Sequence, residues 1–186
     1  MKNNKILLIF LIIILTPVFL GCIDRQSSYV SYSIYVTPDE NSETTLIVPV
    51  VIDNKSGEID EVMTNPKKFS SGGGVLETIE TDKGLALKII INEEVEIDFS
   101  KEYKEITSDL MRNKTLSMTN LNYDENGKPV IKSWVYVNSS AGQVPRFFVS
   151  LHIGENYKVQ FLRFGGRNIS NGWHQFSVEE GYLYAD

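Results

Sequence analysis

The sequence predicts a mainly β protein, folded as an antiparallel β-sandwich or an open barrel with one or two short helices. Three observations predict it. Apolar and polar residues alternate in many segments, which is the period of a half-buried strand. Clusters of turn-forming residues separate these segments at short intervals. Most segments follow one another directly, so about nine to eleven strands would pair with their neighbours in antiparallel sheets.

The first two strands are predicted at Tyr29–Val36, where every second residue is apolar, and at Thr44–Ile52, which is almost entirely apolar and β-branched. The turn residues between them suggest a hairpin with a long loop. Pro49 has no N–H to donate to a neighbouring strand. An edge or a bulge is therefore expected at that position.

The middle of the chain predicts another hairpin and two helices. Strands at Val75–Thr81 and Leu85–Ile91 flank a short loop that ends in glycine, a strong hairpin pattern. Glu94–Phe99 alternates as a further strand. A short helix is predicted over Glu58–Met63. A second helix is predicted over Lys101–Arg112, capped by the preceding serine, with an irregular loop as the competing interpretation.

The last third of the chain predicts hairpins and two final strands. The predicted strands are Thr115–Tyr123, Lys128–Asn138, Pro145–Ile153, Tyr157–Phe164, Trp173–Val178 and Tyr182–Tyr184. A three-residue loop, Gly154–Asn156, would join two of them, and Gly165-Gly166 would end the second of these. In this register the inward residues are Phe147, Val149, Leu151, Ile153, Tyr157, Val159 and Phe161, and the outward ones include Phe148, Leu162 and Phe164.

The N-terminus has the layout of an export signal. Lys2 and Lys5 precede the unbroken apolar run Ile6–Leu15, and Gly21-Cys22 follows a few apolar residues later. The run is shorter than the about 20 residues that a membrane-spanning helix needs. We therefore predict a signal peptide at residues 1–21, a tether at 22–28 and one β-sandwich domain at 29–186.

Phe19-Leu20-Gly21-Cys22 resembles the lipobox of prokaryotic lipoproteins. The resemblance implies that the Cys22 thiol carries a diacyl or diether lipid and becomes the first residue after cleavage. Two buried chains make a stable anchor, because each CH₂ contributes about 0.8 kcal/mol. The segments Leu46–Ile52 and Glu80–Ile89 resemble uncharacterised archaeal surface lipoproteins, a likeness that implies no assigned activity.

Composition limits the partners and the chemistry of the mature chain, Cys22–Asp186. Without Lys2 and Lys5 it keeps 16 basic against 24 acidic residues, a net charge of −8. Such a surface argues against nucleic acid and against electrostatic docking on anionic lipid. Cys22 is the one cysteine, which leaves no internal disulfide, cysteine zinc site or thiol nucleophile in the domain.

Aromatic residues form the main candidate binding surface. Flat rings stack on sugars or apolar ligands, and an exposed group of them marks a binding site. The candidates are Trp134, Tyr136 and Trp173, with Phe148, Tyr182 and Tyr184 as further members of one platform. The competing interpretation, which the sequence favours, is that a helix or loop packs on them, with Lys101–Arg112 as the obvious cover.

Metal or catalytic sites have weaker support. His152 and His174 are the only histidines, and neither a zinc-ligand spacing nor a Gly-x-Ser-x-Gly nucleophile motif is present. Acidic clusters at 39–43, 53–61 and 93–98 could bind calcium or hide a glycosidase carboxylate pair, but solvated charge explains them as well. We therefore expect no metal, cofactor or catalytic residue.

The sequence thus predicts a membrane-anchored surface lipoprotein on the extracytoplasmic side of the cell membrane. Its exported domain would serve ligand binding or envelope structure, with an unknown glycan or protein as a further partner. Two alternatives stay open. One is an extracytoplasmic hydrolase that uses a carboxylate pair. The other is a subunit of a surface complex, which would leave a large apolar face uncovered in the monomer.

Overall fold

The computed structural model describes residues 28–64, 66–70, 74–155 and 158–184. Within these residues two six-stranded antiparallel sheets pack against each other as a β-sandwich, and a two-stranded sheet accompanies them. The predicted fold class is confirmed, in its sandwich form. The predicted signal peptide, Cys22 and the tether up to Ser27 lie outside the described residues.

Fourteen strands and two short helices make up the described residues. The first sheet contains Ser28–Thr37 (β1), Pro66–Ser70 (β4), Val95–Tyr103 (β7), Gln143–Glu155 (β11), Lys158–Ser170 (β12) and Glu179–Tyr184 (β14). Its strands lie in the spatial order β14-β12-β11-β1-β7-β4. The second sheet contains Thr44–Pro49 (β2), Val75–Thr81 (β5), Gly84–Ile91 (β6), Thr119–Tyr123 (β9), Pro129–Ser139 (β10) and Gly172–Ser177 (β13). Val51–Asp53 (β3) pairs with Lys114–Leu116 (β8), and the helices are a 3-10 turn at Glu61–Thr64 and α1 at Ser108–Asn113.

The second sheet has the order β13-β10-β2-β6-β5, with β9 paired to the end of β10. Each sheet turns one face, its inner face, toward the other sheet and presents an outer face on the opposite side. In β1 the predicted alternation is confirmed, because Tyr32, Ile34 and Val36 are fully buried while the residues between them are only half-buried. The Tyr32 hydroxyl donates to the Pro49 carbonyl, and burial raises the pKa of this phenol far above its usual range.

The predicted hairpin between the first two strands is wrong. β1 pairs with β11 and β7 in the first sheet, whereas β2 pairs with β10 and β6 in the second. The connection crosses between sheets, which lie about 10 Å apart in a sandwich, so each strand buries its apolar face against the other sheet. At Pro49, where an edge or bulge was expected, β2 ends and the chain passes to β3.

The predicted register of β11 and β12 is wrong, because Ile153 lies opposite Gln160 and not opposite Tyr157, a shift of three residues on β12. Gly154 and Glu155 pair with Val159 and Lys158, so the loop has two residues rather than three. Leu162 consequently joins the inner face beside Phe164, and Phe161 moves to the outer face. Gly165-Gly166 does not end the strand either, since β12 continues to Ser170.

The predicted helix over Lys101–Arg112 is also wrong for most of its length. Phe99 and the residues after it continue β7 to Tyr103, and α1 begins only at Ser108. Thr107 rather than Ser100 caps it, because its hydroxyl accepts from the Leu110 N–H at 3.1 Å. The helix predicted over Glu58–Met63 is a single 3-10 turn with Val62 buried.

The other two predicted hairpins are confirmed. β5 and β6 pair from Val75–Ile90 to Thr81–Gly84, and Gly84 has a φ of +119° that favours glycine. β9 and β10 pair around the turn that ends at Gly127. The predicted strand Thr115–Tyr123 is interrupted at Met118, whose φ of +53° separates β8 from β9.

Candidate functional site

Three of the predicted aromatic residues meet on the outer face of the second sheet, and we call them the outer aromatic cluster: Trp134, Tyr136 and Trp173. Tyr136 on β10 lies directly opposite Trp173 on β13. Their ring centroids are 5.3 Å apart, and the two indoles meet edge to face at 6.4 Å and 86°. Such separations and angles are those of favourable aromatic pairs.

Strand alternation explains why these rings point outward. On β10 the inward residues Ser133, Val135 and Val137 are fully buried, so the residues between them face the other way. Trp134 and Tyr136 are accordingly half-buried. Trp173 is half-buried too, and β2 extends the apolar surface with Ile47 beside Tyr136.

A cation completes the cluster. The Lys83 ammonium, in the β5–β6 turn, lies 5.0 Å from the centre of the Trp134 ring and 2.9 Å from the Asp82 carboxylate. An ammonium over an indole face is attracted by the ring quadrupole. The sequence does not indicate this contact, because it depends on where the β5–β6 turn lies relative to β10, from which β2 separates the hairpin.

The predicted cover of the aromatic residues is wrong. Lys101–Arg112 does not form a helix across them, and its helical remainder, α1, packs mainly against β8. Lys101 itself pairs with Glu61, next to Tyr103, whose hydroxyl donates to Glu61 at 3.2 Å. The start of this segment therefore belongs to the first sheet, and its helical part lies beside the two-stranded sheet.

The remaining aromatic candidates lie elsewhere. Phe148 is on the outer face of the first sheet, where it sits opposite Gly165. Tyr182 is on β14 at the edge of that sheet, with 48% of its surface exposed. Tyr184 ends β14, and its side chain lies outside what the structure describes. Of the six residues predicted to form one platform, three are found together: Trp134, Tyr136 and Trp173.

The two histidines are on different sheets, His152 on β11 and His174 on β13. The His174 Nε2 lies 2.7 Å from the Ser170 carbonyl oxygen. Partial burial, and to a lesser degree the charge of Arg163, lower the pKa of His152. Among the described residues no group of three His, Cys, Asp or Glu side chains has a metal-binding arrangement.

The acidic segment 53–61 has structural roles. The Asp53 carboxylate accepts from the Lys55 and Ser56 N–H groups at 2.9 and 3.1 Å, which stabilises the turn and lowers the pKa of that carboxyl. Asp60 is buried, accepts from the Val62 N–H and forms an ion pair with buried Lys114. Both carboxylates are therefore engaged by the protein itself.

The other two acidic clusters come together at one end of the sandwich. Asp39 and Glu40 of the β1–β2 loop line an open cleft of about 410 Å³ with Glu93 and Glu94 of the β6–β7 loop. Glu94 accepts a hydrogen bond from the Thr37 hydroxyl at 3.2 Å. Strand alternation could not have indicated this meeting, because it depends on which loops share an end of the sandwich.

Comparison with known protein families, with curated proteins and with solved structures finds no match for this chain. None of the helices in the described part of the chain is long and apolar enough to cross a membrane. Any function of the candidate site is therefore inferred from the positions and chemistry of its own residues.

Proposed function

We propose that this chain is a membrane-anchored binding protein on the extracytoplasmic side of the cell membrane. Lipid on Cys22 holds it there, and the outer aromatic cluster binds the ligand. The export-signal layout of the N-terminus and its lipobox-like end support the anchoring part. The binding part is carried by one observation: three half-buried rings lie side by side on an outer sheet face.

The ligand class follows from the chemistry of this surface. Edge-on and tilted rings present flat apolar area, while the Trp134 and Trp173 indole N–H groups and the Tyr136 hydroxyl offer hydrogen bonds. Lys83 adds a positive charge at the Trp134 side. A sugar ring combines apolar C–H faces with hydroxyls, so a saccharide fits this surface better than a purely apolar ligand.

Tryptophan fluorescence tests the binding part directly, because the chain contains two tryptophans and both are in the cluster. Titration of the purified protein with a panel of neutral and acidic oligosaccharides should shift the emission to shorter wavelength and saturate. Tyr136→Ala should abolish the saturation while both fluorophores remain. Tyr29→Ala is the matched control, because Tyr29 is a half-buried tyrosine on the outer face of the first sheet, where it lies opposite Gly154.

Acrylamide quenching of the tryptophan fluorescence, without ligand, is the measurement that can contradict the binding part. If neither tryptophan is accessible to the quencher, the rings are covered and the binding part fails. The anchoring part is tested separately by mass spectrometry of the native protein, which should begin at Cys22 and carry the added mass of the lipid. An intact Met1 or an unmodified Cys22 would contradict lipid anchoring.

A second candidate, a subunit of a surface complex, is favoured by β9. Leu121 and Tyr123 on this strand are 61% and 68% exposed, and β9 pairs with β10 on one side. Exposed apolar side chains on a short peripheral strand suit contact with another chain. Sedimentation analysis of wild type against Leu121→Ser/Tyr123→Ser would test it: only self-association or complex formation that the double variant removes supports this candidate.

A further inference from the structure

A second, chemically different cleft lies on the first sheet. It has a volume of about 380 Å³ and is lined by Arg146, Arg163 and Arg167, together with Phe148, Gly165 and Glu179. The whole chain contains five arginines, so three of them gather at this one place. The chain as a whole has a net charge of −6, and the positive character of the cleft is therefore local.

The arrangement of the arginines follows from the corrected register of β11 and β12. Arg146 lies directly opposite Arg167, the next outward pair is Phe148 and Gly165, and the next is Ser150 and Arg163. All three arginines are exposed. Like charges directly opposite each other on neighbouring strands destabilise a sheet, so the Arg146–Arg167 pair has no structural benefit as it stands.

The three guanidinium groups differ in what already engages them. Arg163 donates to both Glu179 carboxylate oxygens at 2.8 and 2.9 Å, and this pairing lowers the pKa of the Glu179 carboxyl. Neither Arg146 nor Arg167 has a carboxylate of the described residues within ion-pair distance. In an acidic protein these two arginines are the ones that remain available to an anion.

Among the described residues, the Arg146 guanidinium forms no hydrogen bond or ion pair and instead lies beside an aromatic ring. The guanidinium lies 5.6 Å from the centre of the Tyr35 ring. Packing over a ring uses the face of the guanidinium, whereas its N–H donors point outward in the plane and match the two oxygens of an oxyanion. The tyrosine thus supports the side chain without consuming the groups that would bind a ligand.

The floor of the cleft depends on glycine. A Cβ on Gly165 would lie 2.5 Å from the Phe147 carbonyl oxygen and 3.1 Å from the Phe148 ring. Any larger residue would therefore force the β11 backbone at Phe147 to shift. β14 pairs with β12 only from Lys158 to Arg163, so β14 does not cover the edge of β12 beside Gly165. The cleft is accessible from that side.

We propose that this cleft binds an oxyanion, the carboxylate, sulfate or phosphate group of an acidic ligand, between Arg146 and Arg167. The bound group neutralises the opposed charges and receives paired N–H donors from both sides. Arg163, held by Glu179, stays at the other end of the Phe148–Gly165 floor and contributes long-range attraction. The inference does not depend on the outer aromatic cluster, which lies on the other sheet.

Titrations of the full-length protein in detergent with sodium sulfate, inorganic phosphate and galacturonate, at constant ionic strength, test this proposal. Arginine Nε–H signals in ¹H–¹⁵N spectra report on the cleft. At least one of the three anions should shift the Arg146 and Arg167 signals along a saturating curve. The anion that saturates first identifies the group: a carboxylate if galacturonate leads, a tetrahedral anion if sulfate or phosphate leads.

The variants Arg146→Gln and Arg167→Gln should each weaken that binding by about tenfold or more, because each removes charge-assisted donors. Arg112→Gln is the matched control: Arg112 is exposed on α1, away from the cleft, and its loss should change affinity less than about twofold. Unchanged melting temperatures would show that the variants fold. Equal weakening by all three variants, or linear unsaturated shifts with all three anions, would overturn the proposal.

Discussion

Two groups of three aromatic rings lie on the two faces of β13, the edge strand of the second sheet. β13 contributes one ring to each group. Phe176 of β13 belongs to the inner phenyl cluster with Phe147 and Phe164, whereas Trp173 of the same strand belongs to the outer aromatic cluster. The ring geometries are alike: Phe147 and Phe176 meet at 84°, and the two indoles meet at 86°. Ring geometry alone therefore does not distinguish a core from a candidate site.

The difference lies in what covers the rings. The inner phenyl cluster lies between the two sheets, which leaves Phe147 1% and Phe164 4% exposed. The outer aromatic cluster has half-buried rings and a lysine beside it. The inner rings should therefore contribute mainly to stability, and the outer rings to what the protein contacts.

The largest expected effect is that of Phe147→Ala. Truncation removes a fully buried ring that touches both sheets and leaves a cavity between them, at a cost of about 3–5 kcal/mol in the free energy of unfolding. Urea denaturation followed by circular dichroism would measure it. A loss no greater than that of an outer-ring variant would remove the distinction between the two clusters.

Trp173→Ala should cost less, about 1–2 kcal/mol, because its ring is only partly removed from water in the folded state. Phe176→Ala is the matched comparison, since it removes a half-buried ring on the inner face of the same strand. We expect the phenylalanine variant to be the less stable of the two despite the smaller side chain. The reverse order would indicate that Trp173 belongs to a core, and would argue against a binding role.

Lys83→Gln should have a still smaller effect on stability, about 0.5–1 kcal/mol, from the loss of the ammonium over Trp134. Removing this charge should also alter the tryptophan emission, because the Lys83 ammonium lies 5.0 Å from the centre of the Trp134 ring. Lys55→Gln, in the exposed turn at Asp53, is the control and should leave the emission unchanged. Identical spectra for wild type and Lys83→Gln would show that the contact is absent in solution.

Much of the fold follows from the sequence because alternation records which side of a strand is buried. β1 and β7 could be predicted in this way. On β10 alternation places Trp134 and Tyr136 on one face, but it does not say which face is buried, because both faces are apolar. Alternation does not say which strands pair. β1 and β2 are adjacent in sequence but belong to different sheets, since each pairs with strands about 40 to 125 residues away.

The register of β12 shows a second limit. Apolar residues occupy both faces of this strand, with Phe161 on one and Leu162 and Phe164 on the other, so burial does not select one register. The length of the turn decides it, and a difference of one residue in that turn exchanges the faces. The arginine cleft could not be predicted for the same reason, because the opposition of Arg146 and Arg167 exists only in the true register.

The smallest predicted effect concerns His152, on the outer face of the first sheet. It distinguishes this face from the inner phenyl cluster, because phenyl rings do not titrate. Partial burial and Arg163 lower the pKa of His152 in the folded state. As pH falls below about 6.5, the usual histidine pKa, the unfolded chain binds a proton that the folded protein still excludes, so stability decreases until the folded pKa is reached. His152→Gln should remove this part of the pH dependence, measured as the difference between the two denaturation profiles. Parallel profiles for wild type and variant across that range would show that His152 is as well solvated as in the unfolded chain.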